Sequence, residues 1–362
     1  MKKILFVMND LAGGGAEKLL IKYLTVLSNG KYDLNLCVLK NKGIYQSSIP
    51  PSVKTIYVFN SEEYNNFSPN LESIKELYSN QIKDIYDFEI AFLEGLPTVF
   101  VAASNNPRSI KVAWVHTNLN DFHWTSKYFS SLKEERIIYY KFNKIIIISK
   151  SAKRGFESLF GKTPNIHVIY NAIDKSEIIR ESKVINIKFA TFTFCNISSL
   201  QSHKGHKKLI KAFANLINDG ADAHLVILGT GDQKQQLEVL SNELNVSDKI
   251  TFLGFVKNPY PYLSSSNIYV HSSSCEGYSL AICEALTLNK PIIATKCSGI
   301  EDSLNNGKYG LIVDNTEQGL YYGMRKVFFH VNHREMLYKK AKLGASKLQY
   351  NKIIKSIEKI FK

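Results

Sequence analysis

The chain has 362 residues, more than one ordinary domain core needs, so its length favours two domains. Hydrophobic residues make up 44% and charged residues 22% of the sequence, which is typical of a globular protein. No apolar run reaches the roughly 18 residues that a membrane-spanning helix needs. The formal net charge of +14 favours an anionic partner, such as a polyanion, an acidic membrane surface or a phosphorylated substrate.

The cysteines and the first residues bear on the compartment. An odd number of dispersed cysteines without a Cys-x-x-Cys pair predicts reduced thiols and no zinc site. The apolar segment after Met1 is too short for a signal peptide and is followed by glycines. We therefore predict that it is the first strand of a cytoplasmic protein. The cysteines are Cys37, Cys195, Cys275, Cys283 and Cys297.

The first half of the chain alternates strand-like and helix-like segments. Helical spacing of apolar residues predicts helices at Ala16–Leu27 and Leu71–Asp84. Apolar strands that alternate with amphipathic helices indicate a parallel sheet covered on both faces. The predicted strands are Ile4–Met8, Leu34–Leu39, Glu89–Leu93, Val112–His116, Ile145–Ile148 and Ile166–Ile169.

The same alternation restarts in the second half, which predicts a second domain of the same class. The predicted strands there are Phe189–Ile197, His224–Leu228, Ile250–Leu253, Ile268–His271 and Pro291–Ala294. The predicted helices are Lys207–Asn218, Gln233–Leu244 and Ser279–Leu288.

These patterns predict an α/β protein with two Rossmann-like, doubly wound parallel-sheet domains that face a central cleft. We place the domains at residues 1–175 and 189–345. The linker is placed at 176–188, because Asp174–Lys188 is polar and lacks periodicity. An apolar stripe near the end predicts a helix over 346–362 that closes back on the protein. Ligands of such sheets bind at the carboxyl ends of the strands.

Three glycines follow the first predicted strand. Gly13–Gly15 would let the backbone approach a phosphate at a helix N-terminus, and the less favoured alternative is a tight turn without a ligand. Lys18 stands where the dinucleotide-binding fingerprint has its third glycine. Two other patterns are excluded. Gly161-Lys162-Thr163 lacks the earlier glycine of a P-loop, and no Asp-x-Asp of a metal-chelating transferase is present.

Two glutamates in the second half form the most informative pattern. Glu276 lies in a strand-to-helix loop, and Glu284 lies within the helix that follows. Eight helical residues rise about 12 Å, and the N–H groups near Ser279–Ala281 would face an anion between the carboxylates. A nucleotide sugar has hydroxyls at both ends and a diphosphate between them. Glu284 alone is also compatible with a solvated helix position, but its apolar neighbours favour burial with a partner.

The ordered set of motifs resembles the retaining glycosyltransferases of family 4 (group 1), which have the GT-B fold. The resemblance covers nearly the whole chain. Each motif alone is weak evidence for the family, whereas the set in this order is strong evidence. Besides Glu276 and Glu284, it rests on Gly13–Glu17, Trp114–Thr117, Ile148–Ser151, Val168–Asp174, His203–Gly205, Pro291–Thr295 and Gly310–Asp314.

The resemblance implies roles for the matching residues. Glu276 would contact the hydroxyls of the transferred sugar, Lys204 would neutralise the leaving diphosphate, and His116 would contact the sugar near its reacting face. Glu284 would bind the ribose. Family members retain the anomeric configuration through an oxocarbenium-like ion pair, without a protein nucleophile or metal, so no cofactor beyond the nucleotide-sugar substrate is expected. The implied donor site also includes Gly14, Gly15, Ser199, Gly254, Phe255, Tyr278, Ser279, Leu280 and Ala281.

The sequence departs from the family pattern at two positions. Ser199 stands where the family usually has an arginine that contacts the diphosphate, so that contact is missing or comes from His203, Lys207 or Lys296. Ala172 replaces a common glycine, which affects the local turn more than the chemistry.

A basic and aromatic stretch, Phe122–Lys162, suggests an acceptor or membrane surface. Bacterial relatives often act on lipid-linked glycans at the inner face of the plasma membrane, as in O-antigen or capsule synthesis. The alternative is a helix whose aromatic side chains pack inward and whose lysines are merely solvated. The candidate acceptor or membrane residues are Glu17, Trp124, Lys127, Lys133 and Arg136.

Other function classes stay open on the sequence. A non-hydrolysing nucleotide-sugar epimerase shares the two-domain architecture, but the glutamate pair speaks against it. A non-catalytic nucleotide-sugar-binding subunit would suit Ser199. Nucleic-acid binding would suit the charge, but no recognition motif accompanies it, so we expect no nucleic-acid partner. Family frequency favours a UDP-sugar donor.

Overall fold

Two parallel sheets organise the residues that the computed structural model describes, 1–66 and 70–362. Unit 1 comprises Met1–Asn171 together with Ile353–Lys362, and unit 2 comprises Ala172–Lys352. The chain therefore leaves unit 1 after its last strand and returns to it for its final residues.

The described part of unit 1 contains a seven-stranded sheet in which every neighbouring pair is parallel. The strand order is β3-β2-β1-β4-β5-β6-β7. In the central β1, Ile4–Met8 are fully buried, because helices cover both faces of the sheet. The strands are β1 (Lys2–Met8), β2 (Tyr32–Lys40), β3 (Lys54–Phe59), β4 (Phe88–Ala91), β5 (Ile110–Val115), β6 (Lys144–Ile147) and β7 (Ile166–Val168).

The helices of unit 1 follow the local signals of the sequence. The side chain of Ser131 caps one helix by accepting a hydrogen bond from the Glu134 N–H, and Ser149 caps another through the Ala152 N–H. The helices are α1 (Gly15–Leu27), α2 (Ser61–Asn66), α3 (Leu71–Gln81), α4 (Leu96–Ala102), α5 (Leu132–Tyr139) and α6 (Lys150–Phe160), with short 3₁₀ segments at Gln46–Ser48 and Trp124–Tyr128.

Residues 172–352, all of them described, contain a six-stranded parallel sheet with the order β10-β9-β8-β11-β12-β13. Its strands are β8 (Phe192–Ile197), β9 (Ala223–Leu228), β10 (Ile250–Gly254), β11 (Ile268–His271), β12 (Ile292–Thr295) and β13 (Leu311–Val313).

The helices of unit 2 cover this sheet. They are α7 (Lys175–Glu181), α8 (His206–Asn218), α9 (Lys234–Glu243), α10 (Tyr260–Ser265), α11 (Leu280–Thr287), α12 (Ser298–Ser303), α13 (Glu317–Phe329) and α14 (Val331–Lys347), with 3₁₀ segments at Ser202–Lys204 and Ser247–Lys249.

The predicted closing helix is present as α15 (Tyr350–Glu358), followed by a 3₁₀ turn at Lys359–Phe361. Phe361 packs against the rings of Tyr32 and Phe88, with centroids 5.4 and 5.5 Å away. The Lys2 ammonium donates a hydrogen bond to the Phe361 carbonyl at 2.7 Å. The last residues are therefore anchored to unit 1 by the packing of Phe361 and by the hydrogen bond from Lys2 to its carbonyl.

The predicted α/β class with two Rossmann-like parallel-sheet domains is confirmed, but the prediction did not include every element. It missed β3, a partly exposed edge strand, and β13, which has three residues. The segment predicted as a linker contains α7, because Asp174 caps it by accepting from the Glu177 N–H at 3.1 Å, and because Ile178 is buried. Because this seven-residue helix buries only one side chain, its sequence shows no apolar periodicity.

Candidate functional site

In unit 2, the strand order reverses between β8 and β11, and the loops after these strands leave the same edge of the sheet. Such a switch point is where doubly wound sheets bind their ligands. Lys204 lies in the loop after β8, and Glu276 lies in the loop after β11. The topology therefore brings together the two residues that the motifs singled out separately.

Glu276 uses one carboxylate oxygen for two hydrogen bonds. Its Oε1 atom accepts from the Lys204 ammonium at 2.8 Å and faces the His271 Nε2 atom at 3.0 Å. Burial alone would raise the pKa of Glu276, but Lys204 and His271 outweigh it and hold that pKa well below its usual range. Glu276 is therefore a carboxylate at every physiological pH.

The backbone around this ion pair is tied across the two loops. The Ser272 hydroxyl donates to the Lys204 carbonyl at 2.8 Å, and the Ser274 N–H donates to the His203 carbonyl at 2.7 Å. Gly205 has φ +71°, and a Cβ there would overlap the Ser272 carbonyl oxygen. Glycine at this position thus lets the start of α8 approach the loop that carries Glu276.

His271, the last residue of β11, is 2% exposed and has partners on both ring nitrogens. Its Nδ1 atom lies 3.0 Å from the hydroxyl of Tyr269, which is fully buried. The sequence prediction passed over both residues, because an aromatic residue and a histidine in a buried strand are normal core composition. The only available signal was that His271 ends the strand five residues before Glu276.

The N-terminus of α11 follows Glu276 closely. The Ser279 side chain caps the helix by accepting from the Ile282 N–H at 3.3 Å, and its own N–H donates to the Ser303 hydroxyl at 3.2 Å. The N–H groups of Leu280 and Ala281 belong to the first turn, which has no acceptors within the helix. This end of α11 can therefore receive an anion.

Glu284 lies in α11 and is 6% exposed. Its Oε1 atom accepts a hydrogen bond from the Tyr260 hydroxyl at 3.0 Å, so its burial comes with a partner. Sequence reasoning expected such a partner but did not identify Tyr260, which comes from the distant helix α10.

Four other predicted donor-site residues of unit 2 lie at the end of a strand or in a loop. Ser199 follows β8, and its hydroxyl lies 3.5 Å from the Gln201 side chain. The Gly254 carbonyl accepts from the Gly229 N–H at 2.7 Å, which places it beside the end of β9. Phe255 is 39% exposed, and Tyr278 is partly buried. These positions are compatible with a ligand at the carboxyl edge of the sheet.

In unit 1, the glycine loop follows β1. Gly14 is the N-cap of α1, and Gly15 is its first residue. The Glu17 carboxylate folds back onto Gly14 so closely that a Cβ at position 14 would overlap it. Burial raises the pKa of Glu17 to about 7, and the nearby Asp10 adds to the effect.

His116 follows β5, and its N–H donates to the buried Glu94 carboxylate at 2.8 Å. Burial lowers the pKa of His116 to about 3 and outweighs a hydrogen bond to the Phe92 backbone, which by itself raises that pKa. The ring of His116 is therefore neutral at physiological pH. The Nε2 atom of His116 is buried and has no partner among the described residues. A neutral histidine that donates through its other nitrogen presents a lone pair at Nε2, which could accept from a hydroxyl group.

The basic and aromatic stretch divides into two groups. Trp124 is partly buried and donates to Glu94 at 3.3 Å, and Lys127 lies over the Tyr128 ring at 5.0 Å. Tyr139 and Phe142 are buried in the core. The exposed face of α5 and the residue after it, which we call the α5 face, consists of Leu132, Lys133, Arg136, Ile137 and Tyr140.

Residues 1–66 and 70–362 include no helix that is both long and apolar enough to cross a bilayer. The same residues include no group of three or more His, Cys, Asp or Glu side chains arranged to hold a metal ion. All the cysteines of the sequence lie in the described part, and they are free thiols.

Comparisons with known proteins place similar sequences among the glycosyltransferases. Residues 177–343 match the family model of the group 1 glycosyl transferases. An uncharacterized glycosyltransferase of Methanocaldococcus jannaschii is 33% identical over 58% of this chain and 56% of its own, so the match spans little more than half of that relative. A Campylobacter jejuni protein is 26% identical over 98% of this chain and 97% of its own. It is the N-acetylgalactosamine-N,N'-diacetylbacillosaminyl-diphospho-undecaprenol 4-alpha-N-acetylgalactosaminyltransferase.

Solved structures support the fold. Anabaena HepE in complex with UDP-glucose superposes with a TM-score of 0.79 at 19% identity, covering 100% of this chain and 99% of its own. WaaG, a glycosyltransferase involved in lipopolysaccharide biosynthesis, superposes with a TM-score of 0.74 at 13% identity and covers 99% of both chains.

Proposed function

We propose that this chain, whose residues 177–343 match the family model of the group 1 glycosyl transferases, transfers a hexose or N-acetylhexosamine from a nucleotide sugar to a glycan acceptor, with a UDP-sugar favoured. The observation that carries the proposal is the Glu276–Lys204 pair at the switch point of unit 2, 2.8 Å apart and next to the N-terminus of α11.

Lys204 supplies the positive charge for the leaving group. Its ammonium has three N–H donors, and the contact with Glu276 uses one of them. The others can bind the diphosphate, as can the first-turn N–H groups of Leu280 and Ala281. Fixed donors aimed at developing negative charge lower the barrier by electrostatic stabilisation. This provides a way to transfer the sugar without a metal ion.

Glu276 and His116 are assigned to the sugar. Oε1 of Glu276 already accepts two hydrogen bonds, so Oε2 is the oxygen that can accept from a sugar hydroxyl. His116 can accept from another hydroxyl through its buried Nε2 lone pair. We propose that transfer proceeds with retention of configuration through a same-face, oxocarbenium-like ion pair, since the resemblance assigns no nucleophile.

Glu284 is assigned to the ribose, and Phe255 to the base. Tyr260 supports the first assignment, because its hydrogen bond to Glu284 Oε1 orients the carboxylate inside α11. Ser199 leaves one diphosphate contact to other residues, and His203 is the candidate nearest in the chain to Lys204.

The acceptor is proposed to be a lipid-linked glycan in the synthesis of a bacterial surface polysaccharide, such as O-antigen or capsule. The name of the Campylobacter jejuni relative describes a transferase that acts on a diphospho-undecaprenol-linked sugar. The α5 face mixes exposed apolar side chains with Lys133 and Arg136, which suits peripheral binding at the inner face of an anionic membrane.

The test is a donor screen on the purified protein. UDP-, GDP- and CDP-sugars are compared for thermal stabilisation and for release of the free nucleotide, with and without EDTA. We expect stabilisation and slow hydrolysis with one or more UDP-sugars, unaffected by EDTA. Binding without hydrolysis or transfer would support the non-catalytic subunit that Ser199 favours. A free epimerised sugar nucleotide would instead identify an epimerase.

A second measurement tests the stereochemistry. With a lipid-linked glycan acceptor, proton NMR of the product reports the configuration of the new anomeric centre. We expect the configuration of the donor, and inversion would refute the ion-pair mechanism.

A further inference from the structure

One histidine outside the assigned residues contacts the central carboxylate of the site. His271 lies on β11, whereas Lys204 comes from the loop after β8, and both meet Oε1 of Glu276. We propose that His271, itself oriented by Tyr269, is a positioning residue that fixes the Glu276 carboxylate for sugar transfer. This inference rests on the proposed function and adds a residue that the family resemblance does not supply.

The directions of the hydrogen bonds follow from the chemistry of the partners. Glu276 is ionised and can only accept, so His271 donates to it through its Nε2–H at 3.0 Å. In the tautomer that carries its proton on Nε2, the Nδ1 atom accepts from the Tyr269 hydroxyl, also at 3.0 Å. Tyr269 is a dependable donor, because burial raises its pKa well above the usual value. Its other acceptor, the Ile197 carbonyl, is 3.4 Å away.

This arrangement selects one tautomer of His271 and one orientation of its ring. The second ring nitrogen usually decides which tautomer a histidine adopts. Both side chains are buried, with Tyr269 fully enclosed and His271 2% exposed, so neither can rotate freely. The Nε2–H therefore points at a fixed place in the loop after β11.

The consequence for Glu276 is a carboxylate with one oxygen immobilised and one oxygen available. Lys204 alone would hold Oε1 through a long flexible chain that must also serve the diphosphate. A second donor from a rigid strand keeps Oε1 in place when the Lys204 ammonium turns toward the leaving group. Oε2 then stays aimed at the sugar hydroxyl throughout the reaction.

The experiment compares H271A, H271Q and Y269F with the wild type. Glutamine carries an N–H donor at about the distance of Nε2, whereas alanine has none. The control is H224A, which removes a half-buried histidine of β9 that bonds Thr251 at 2.8 Å, away from the site loops. Three quantities are measured: the Kd for UDP, the kcat and KM for UDP-sugar cleavage, and the pH profile of kcat.

We expect H271A to lower kcat by about 10- to 100-fold, the usual effect of losing a hydrogen bond to a charged group. The Kd for UDP should stay near the wild-type value, because UDP lacks the sugar that Glu276 contacts. Loss of one donor raises the pKa of Glu276, so the acid limb of the profile should move to higher pH. H271Q should recover most of the lost activity, and Y269F should lose about 3- to 10-fold, since only the orientation of the ring is relaxed.

The possible outcomes distinguish failure of the positioning role of His271 from failure of the proposed function. If the wild type binds UDP and cleaves the donor, but H271A matches H224A in kcat and in pH profile, the positioning role is refuted. The same holds if H271A and H271Q lose activity and UDP binding together, since that indicates a purely structural histidine. If the wild type neither binds UDP nor cleaves any nucleotide sugar, the proposed function fails, and the role of His271 in transfer fails with it.

Discussion

Glu276 illustrates what happens at the scale of single residues. Its carboxylate is nearly enclosed, which by itself favours the neutral form, and yet Lys204 and His271 keep it ionised. The pair with Lys204 is not a surface salt bridge, because the two side chains are only 19% and 12% exposed. Removing either Lys204 or Glu276 would leave the charge of the other buried without a partner, which would lower the stability of the fold.

We predict that Lys204→Ala lowers kcat for donor cleavage by about 100- to 1,000-fold, because it removes the cation assigned to the leaving diphosphate. Steady-state kinetics with the best UDP-sugar measures this. Lys211→Ala is the matched control, since Lys211 is exposed on α8 and is assigned no contact with the ligand.

Lys204→Ala also deprives Glu276 of its ammonium partner, so thermal melting must accompany the kinetics. A folded variant with near-normal turnover would show that the leaving-group assignment is wrong. A folded variant that binds UDP but does not cleave the donor would support it.

At the scale of elements, the junction between the 3₁₀ segment Ser202–Lys204 and α8 positions the site. Gly205 joins them with a left-handed backbone, φ +71°, and packs against the Ser272 carbonyl. Lys204 immediately precedes this junction, so its side chain depends on the close approach of the two loops. The absence of a side chain at Gly205 thus fixes the position of Lys204 beside it.

We predict that Gly205→Ala destabilises the protein by clearly more than Gly220→Ala. Both glycines have positive φ, +71° and +84°, but a Cβ at 220 would meet nothing within 4 Å. The left-handed backbone alone costs an alanine about 1–2 kcal/mol, and the overlap with Ser272 adds to it at position 205. Chemical denaturation measures the difference.

Activity provides the second comparison for these glycines. Gly205→Ala should also lower kcat beyond its effect on stability, because it separates Lys204 from Glu276. Equal kinetics in the two variants would contradict the role assigned to the junction.

The α5 face leads to a prediction about a surface element. Lys133→Glu combined with Arg136→Glu should reduce binding to anionic vesicles at least about tenfold, since each cation near such a surface contributes on the order of 1 kcal/mol. Cosedimentation with phosphatidylglycerol vesicles measures this, and added salt should weaken the wild-type binding.

The control for the vesicle experiment is Lys339→Glu combined with Lys342→Glu. Both lysines are exposed on α14, so the net charge changes by the same amount. If the two double variants bind equally well, the attraction is a property of the total charge and the α5 face has no special part in it.

At the scale of the whole molecule, buried histidines link stability to pH. Burial, reinforced by the neighbouring His271, lowers the pKa of His206 to about 4, and burial lowers that of His116 to about 3. Their unfolded pKa is near 6.5. Between these values the unfolded chain binds protons that the folded protein excludes, so stability rises with pH through this window and is complete above it.

We predict that His206→Gln flattens this dependence. Between about pH 6.5 and pH 4, the wild type should lose up to about 1.4 kcal/mol more per pH unit than the variant, equivalent to one proton. Glutamine can still donate to Asn196, which His206 approaches at 3.1 Å. Urea denaturation across the pH range tests this, and parallel curves for both proteins would refute the buried neutral histidine.

Several features of this protein follow from local sequence alone. Alternating apolar strands and amphipathic helices predicted both parallel-sheet units, since burial on both faces leaves a direct trace in composition. The positions of Glu276 and Lys204 at the ends of strands followed from the same pattern. The edge strand β3 and the short β13 left weaker traces, because partly exposed or three-residue strands have no clear periodicity.

Other features were decided by tertiary structure. No sequence pattern pairs Lys204 with Glu276 through one oxygen, adds His271 as a second donor, or joins Tyr260 to Glu284. These contacts form only when the strand order brings separate loops and helices to the same edge of the sheet. Local sequence determines the periodicity of each element, whereas hydrogen-bond partners depend on which elements the fold makes neighbours.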